Sequence, residues 1–287
     1  MIKKWIEAAR PRTLPTSVSP VIAASAYAWY QNTFNGYAAA ICLIFALLAQ
    51  IASNFGNDYF DYKKGSDNSD RVGPRRAVAS GDISPKSMLL ATILTLALAC
   101  VTGCLLIPIG GWKLLIAGIF IAIFAIAYSA GPYPLSYNGW GDVLVIIFFG
   151  FVPVGGTYYV QALTWTPDVT VASLVCGLLI DTLLVVNNYR DREADARSGK
   201  QTIIVRFGEK FGHYFYLALG ITASLLCLRF LSEGHFYAGL LPQLYLIPHF
   251  FTWKKMVRIY NGKKLNNILG ETSRNMLLMG VLLSLGL

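Results

Sequence analysis

Long apolar runs, each closed by a short polar segment, organise this chain from end to end. A bilayer span takes roughly 20 apolar residues. Nine stretches near that length stand out, at about 14–31, 37–56, 87–108, 112–130, 141–163, 170–189, 212–231, 236–253 and 273–287. The last is short, so it either stops at the bilayer edge or begins earlier. The polar connections fall into two sets. Those at about 32–36, 109–111, 164–169 and 232–235 are brief, whereas those at about 57–86, 131–140, 190–211 and 254–272 are longer and hold nearly all the polar chemistry.

Composition agrees with this pattern. Apolar residues make up 55% and charged residues 14% of the 287 positions, against about 25% charged in an average protein. The expectation is an integral membrane protein. Its net charge of +9 does not point to nucleic acid, because the charge is sorted by side. With a cytoplasmic N-terminus, every Lys and Arg except Lys113 and Arg229 falls in the cytoplasmic segments, as the positive-inside rule requires. The function therefore faces the cytoplasm, in the inner membrane. Cys42, Cys100, Cys104, Cys176 and Cys227 lie in apolar spans, where a thiol behaves as a small hydrophobe. No disulfide framework follows, and His213, His235 and His249 lack ligand spacing. Charge runs up to the first span with no small-residue cleavage site, so no removable signal peptide is expected.

One pattern occurs twice, each time at the end of an apolar run. It reads Asn57-Asp58-Tyr59-Phe60-Asp61 after the second run and Asn187-Asn188-Tyr189-Arg190-Asp191 after the sixth. A further carboxylate follows each copy, Asp67 and Asp195, and a Gly beside a Lys follows in turn, Lys64-Gly65 and Gly199-Lys200. At about 100° per residue, Asn57 and Asp61 share a helical face, as do Asn187, Asp191 and Asp195. Oxygen-only ladders of this kind suit magnesium, which keeps several waters and binds through one or two carboxylates plus substrate phosphates. Two such ladders facing each other can hold a diphosphate; neither alone can. So many like charges repel unless cations offset them. The repetition suggests one transmembrane domain over 1–287 with two related halves, motif-bearing at 57–67 and 187–195, and sites at the junction of such repeats are usual.

Several basic residues surround the acids. Lys63, Arg71, Arg75, Arg76 and Lys200 are candidates for the phosphates, since guanidinium binds oxyanions in bidentate fashion; topogenic charge is the competing reading for each. Gly199-Lys200-Gln201-Thr202 is not a P-loop, because Ala194 stands where the first Gly belongs. Asp181 lies about ten residues inside the sixth span, roughly 15 Å deep, on the face of Asn188 and Asp195. An intramembrane carboxylate marks function by default, so it either lines a substrate pocket or packs as a hydrogen-bonded acid. The turn Tyr128-Ser129-Ala130-Gly131-Pro132-Tyr133 offers aromatic faces for a cationic intermediate, while Tyr133 and Tyr137 fit an interfacial belt better.

These residues resemble a known family. The segments 57–67 and 187–195 are similar to the two aspartate-rich motifs of the UbiA superfamily of intramembrane prenyltransferases. Arg10-Pro11-Arg12-Thr13-Leu14-Pro15, Gly73-Pro74-Arg75-Arg76-Ala77-Val78, the 128–132 turn and Arg197-Ser198-Gly199-Lys200-Gln201-Thr202 look like the branch that prenylates 1,4-dihydroxy-2-naphthoate in menaquinone synthesis. The resemblance implies an all-α polytopic bundle of nine transmembrane helices around a central cavity open to lipid. It implies Mg2+-dependent transfer of a polyprenyl group from polyprenyl diphosphate, with Asp61 and Asp191 central to catalysis. Asn57, Asp61, Asp67, Asn187, Asp191 and Asp195 would be metal and diphosphate ligands; Arg12, Arg75, Arg76, Tyr128, Asp181 and Asn188 are candidates for acceptor or prenyl contacts. Two alternatives remain, a sister enzyme with another acceptor such as 4-hydroxybenzoate, and a cation-coupled transporter.

Overall fold

The computed structural model describes residues 2–65, 73–129 and 132–286; the side chains of Arg12, Ala125, Ile126 and Ser129 are also outside the described set. Asp67 and Arg71 therefore lie outside the described residues. All regular structure among the described residues is helical. An amphipathic helix α1 (Ile2–Ala9) turns through Arg10, at φ 52°, and the 3-10 turn Pro11–Thr13 into α2 (Pro15–Tyr30). The next elements are α3 (Gly36–Lys63), α4 (Pro85–Cys104), α5 (Ile107–Gly110) and α6 (Lys113–Ser129). A continuous rod follows, made of α7 (Gly141–Val145), the π-helical segment Ile146–Gly155 and α8 (Gly156–Ala162). Helices α9 (Pro167–Arg197) and α10 (Ile203–Cys227) form an antiparallel pair. The short α11 (Arg229–Ser232) and α12 (Phe236–Leu240) lead through the 3-10 stretch Leu241–Tyr245 into α13 (Leu246–Ile259) and α14 (Leu265–Gly286).

Helix starts follow the capping chemistry of the sequence. Asn35, Ser84, Thr166 and Thr202 each accept a hydrogen bond from the backbone N–H three residues on, and proline opens α4 and α9. Among the described residues, five helical stretches are long and apolar enough to cross a membrane: Gly36–Lys63, Pro85–Gly110, Gly141–Ala162, Pro167–Arg197 and Ile203–Ser232, with Lys113–Phe124 a shorter apolar helix. The outward side of α4 exposes Leu90, Ile93, Leu94, Leu98 and Val101. In water such a face would be an aggregation site; against lipid it is the expected surface.

The structure corrects the lengths of the connections. The expected loops at 57–86, 190–211 and 254–272 contract to what lies between Lys63 and Pro85, between Arg197 and Ile203, and between Ile259 and Leu265. Hydropathy marks where lipid ends, whereas helical hydrogen bonding continues until a stop signal. For both motif helices that signal is a glycine in the left-handed region, Gly65 at φ 72° and Gly199 at φ 76°. Both aspartate-rich segments are consequently helical up to Lys63 and Arg197.

Helix α9 is the hub, packed on α10, α14, α7 and the π segment. Gly150 and Gly177 bring the π segment and α9 into backbone contact: a Cβ on Gly177 would stand 2.9 Å from the backbone of Ile146. Small residues serve this purpose in membranes, where packing rather than water exclusion holds helices together.

Between α3 and α4 the chain is pinned to α1. Asp82 pairs with Lys4 and with Arg75, each at 2.8 Å, and the Lys4 hydrogen bond, aided by the Arg75 charge, holds its carboxyl below the ordinary value of 3.8. A depressed carboxylate pKa stabilises above the unfolded value and that contribution is lost as pH falls through the folded one. Hydrogen exchange in residues 73–84, corrected for its intrinsic pH dependence, is therefore expected to stay slow at neutral pH and rise only below about pH 4. Asp82→Asn should show the fast exchange at pH 7; slow exchange in that variant would remove the pin.

Candidate active site

The two motifs meet. The C-terminal ends of α3 and α9 open onto one cavity of about 2000 Å³, which Asn57 and Asn187 both line. Lys64, just past α3, sits 4.2 Å over the Tyr137 ring, and Lys200, just past α9, lies 5.7 Å from the same ring. Burial lowers the Lys64 pKa; nearby Asp61 opposes that shift and Lys200 adds to it. Asp195 lies within reach of the charges of both Asp191 and Asp61. Tyr137, expected only in an interfacial belt, is thus the point where both motif loops are held.

Each acid of the ladders has a basic neighbour. Arg76 Nη2 is 3.4 Å from Asp61 Oδ2, and Lys200 Nζ is 3.5 Å from Asp195 Oδ1. Arg190 grips Asp191 with both sides of its guanidinium, Nε donating to Oδ1 at 2.8 Å and Nη2 to Oδ2. The same guanidinium donates to Asn187 Oδ1 at 2.6 Å and to Asn266 Oδ1, on α14, at 2.9 Å. These cations offset the repulsion that the sequence implies.

Beyond this polar mouth the cavity turns apolar. Phe120, Phe124, Phe148 and Phe151 line it, and it extends to Lys113 and Trp165 at the opposite end of the helices. Tyr128 lines the wall near the mouth, within the field of Asp61 and Asp195. Arg75 and Arg76 line the mouth as well, although Arg75 is committed to Asp82.

Asp61, Asp191, Asp195 and Lys200 are not themselves among the residues lining the cavity, and other candidates lie elsewhere. Asp58 is buried and accepts from the backbone N–H of Ala77 at 3.0 Å and of Val78 at 3.1 Å, so it anchors the turn beside Arg76. Lys63 is exposed and outside the cavity lining. Asn188 and Asp181 are buried, at 4% and 0% exposure, and neither lines the cavity. The carboxyl of Asp181 faces that of Asp142 on α7, close enough for a hydrogen bond between the two when one carries a proton, and no other donor reaches either of its oxygens. A depth argument from one helix could not show this, because it takes α7 packed on α9 to wall Asp181 off.

Sequence reasoning missed three groups. Gln50 and Asn54 continue the Asn57 face down α3; Asn54 donates to the Ala9 carbonyl at 2.9 Å and to Thr13 Oγ1 at 3.0 Å, tying the α1–α2 corner to the mouth. Their spacing of three and seven from Asn57 was the available signal. Asn266, Asn267, Glu271 and Arg274 bring α14 to the opposite rim; Asn267, Glu271 and Arg274 share one helical face by the same spacing of four and seven, but no repeated motif draws attention to them. Arg190 occupies a variable place in the motif, yet it makes more contacts to the motif oxygens than any neighbouring cation described above.

The sequence matches the UbiA prenyltransferase family over residues 17–268. The chain belongs to that family. It is 40% identical over 230 residues to 1,4-dihydroxy-2-naphthoate octaprenyltransferase of Escherichia coli strain K12, covering 78% of this chain and 74% of that protein. To the Haemophilus influenzae protein of the same name it is 36% identical over 297 residues, covering 100% and 96%. Among solved structures, a UbiA homolog from Archaeoglobus fulgidus bound to GPP and Mg2+ aligns with a TM-score of 0.64 at 17% identity, covering 98% of this chain and 99% of that one. The same homolog bound to DMAPP and Mg2+ aligns at 0.62. The UbiA fold is therefore shared across its whole length, and this chain is an integral membrane protein of that family.

The residues of this UbiA chain fit a hard divalent cation. The candidate ligands are all oxygens, and Asp195 Oδ2 is buried without a hydrogen-bond partner. Among the described residues no three His, Cys, Asp or Glu side chains gather into a cage.

Proposed function

We propose that this chain transfers a polyprenyl group from polyprenyl diphosphate to 1,4-dihydroxy-2-naphthoate, releasing diphosphate and carbon dioxide on the route to demethylmenaquinone. The observation that carries this reading is the convergence of both motif helices on one largely apolar cavity, lined by Asn57 of the first and by Asn187 and Arg190 of the second, together with relatives of that name at 36–40% identity. Nine transmembrane helices, in two motif-bearing halves of a single domain with the N-terminus and polar mouth on the cytoplasmic side of the inner membrane, fit the sorted basic residues.

Asn57, Asp61, Asn187, Asp191 and Asp195, with Asp67 from the sequence motif, would hold Mg2+. When bound, the ion offsets the charge that grows on the diphosphate as the allylic C–O bond breaks. Arg76 and Lys200 stand beside these acids, and would take phosphate oxygens, the guanidinium in bidentate fashion and the ammonium as a point charge. The allylic carbon, losing the electron pair to diphosphate, needs a dry surrounding with π-faces, which Tyr128 and the phenylalanines of the wall provide. The electron-rich ring then forms the new C–C bond, and its carboxylate leaves as carbon dioxide, the C–C electrons returning to the ring. Arg75, Arg76 or Arg12 would grip that carboxylate beforehand.

Purified protein given Mg2+, prenyl diphosphates of several lengths and dihydroxynaphthoate should release one carbon dioxide per prenylated ring, and chelation by EDTA should stop turnover until Mg2+ is restored. Prenylation of 4-hydroxybenzoate without carbon dioxide, and none of the naphthoate, would overturn the acceptor assignment.

A further inference from the structure

Arg190 is nearly enclosed, with 1% of its side chain exposed, yet it is one of the residues that line the cavity. Its four donated bonds end on Asp191 Oδ1, Asp191 Oδ2, Asn187 Oδ1 and Asn266 Oδ1. Three of those four oxygens belong to the second motif's candidate cation ligands. Arg76 approaches Asp61 at 3.4 Å and Lys200 approaches Asp195 at 3.5 Å, both longer than the contacts of Arg190. Guanidinium cannot surrender its charge by losing a proton, so it and a divalent ion compete for the same lone pairs and repel each other.

We infer that Arg190 is the resident cation of the second motif: a divalent ion displaces its guanidinium from Asp191 and Asn187, and the released fork closes on the substrate's diphosphate. The inference rests on the prenyl-transfer reading for the identity of that anion. Asn266, on α14, accepts from the outer nitrogen Nη1 and is not part of either motif. It is a pivot, able to keep one end of the fork in place while the other leaves the carboxylate. The displaced fork then faces the cavity, where paired N–H donors match two phosphate oxygens. The empty protein is spared carboxylate repulsion, and the ion and the diphosphate become mutually dependent ligands.

The test reads binding of Mn2+ as a paramagnetic probe, then of inorganic pyrophosphate, on the full-length detergent-purified protein. Without pyrophosphate, Arg190→Gln should bind Mn2+ about tenfold more tightly than the wild type, the weight of roughly one charge-assisted hydrogen bond. With saturating Mn2+, the same variant should bind pyrophosphate about tenfold more weakly. Arg190→Lys keeps the charge and loses the fork, so it should also bind Mn2+ more tightly than the wild type; a net-charge effect alone would leave it unchanged. It serves equally if Arg190→Gln fails to fold. Equal or weaker Mn2+ binding in both variants, with Asp191→Asn losing the ion, would overturn the inference and leave the prenyl-transfer reading standing. No Mn2+ bound by the wild type, with or without pyrophosphate, would remove both.

Discussion

Asp191→Asn should lower prenyl transfer by about a thousandfold or more while the bundle stays folded and inserted, a loss in line with removing one preorganised charge contact from a transition state. The amide keeps the size of the carboxyl and one of the oxygens that Arg190 grips, so packing around α9 is preserved. It removes the negative charge that would hold Mg2+ against a departing diphosphate. Asp61→Asn, across the mouth, should fall as far, because each motif would supply one side of the same clamp. The two losses should not multiply in the double variant, since groups acting as a unit are non-additive. Turnover of purified variants, with helicity followed by circular dichroism, is the measurement; retention of a tenth of wild-type rate by either single variant would remove that residue from the ligand set.

Gly177→Val should be strongly damaging although it lies away from the mouth. A Cβ there meets the Ile146 backbone at 2.9 Å, and one on Gly150 meets the Gly177 Cα at 3.0 Å as well as the Ser173 carbonyl. Backbone cannot yield as a side-chain tip does, so α9 must move away from the π segment. Overpacking of this kind costs typically about 1–3 kcal/mol, and a β-branched residue against backbone belongs at the upper end. Asn187 lies further along the same helix, so the displacement also carries the second motif away from the first. The expected result is a lower melting temperature in detergent together with lost transfer. Gly118→Val, on α6 where a Cβ meets nothing within 4 Å, should leave the melting temperature near the wild-type value. Equal melting of the Gly177 variant and the wild type would mean that this contact does not hold the bundle.

The sequence made the acids legible because a repeated pattern at the ends of two apolar runs has a chemical reason to exist. It also located most helices, since apolar length is itself the membrane signal. It misjudged helix ends, because α3 and α9 continue as polar helix to Lys63 and Arg197, stopping before Gly65 and Gly199, and hydropathy is silent about polar helix. It could not see what only packing creates. Asp181 shares a face with Asn188 and Asp195 in one helix, but α7 covers it. Asn266 and Arg274 enter the site from a helix with no motif at all. Arg190 was hidden for another reason: in a motif defined by its acids, the intervening residue is read as filler, while here it binds the motif's own oxygens.

The motif side chains and arginines of the cavity gather at one end, the mouth, while the wall beyond Tyr128 is largely oil-like until Lys113 and Trp165 at the far end. An incoming donor is tethered at its anionic head and dissolved along its tail. Once the diphosphate and the carboxylate have gone, the joined product offers the mouth no anion to hold. Its free energy then favours sideways escape into the lipid, so the same asymmetry that seats the reactants ejects what they become, and turnover acquires a direction without any moving gate.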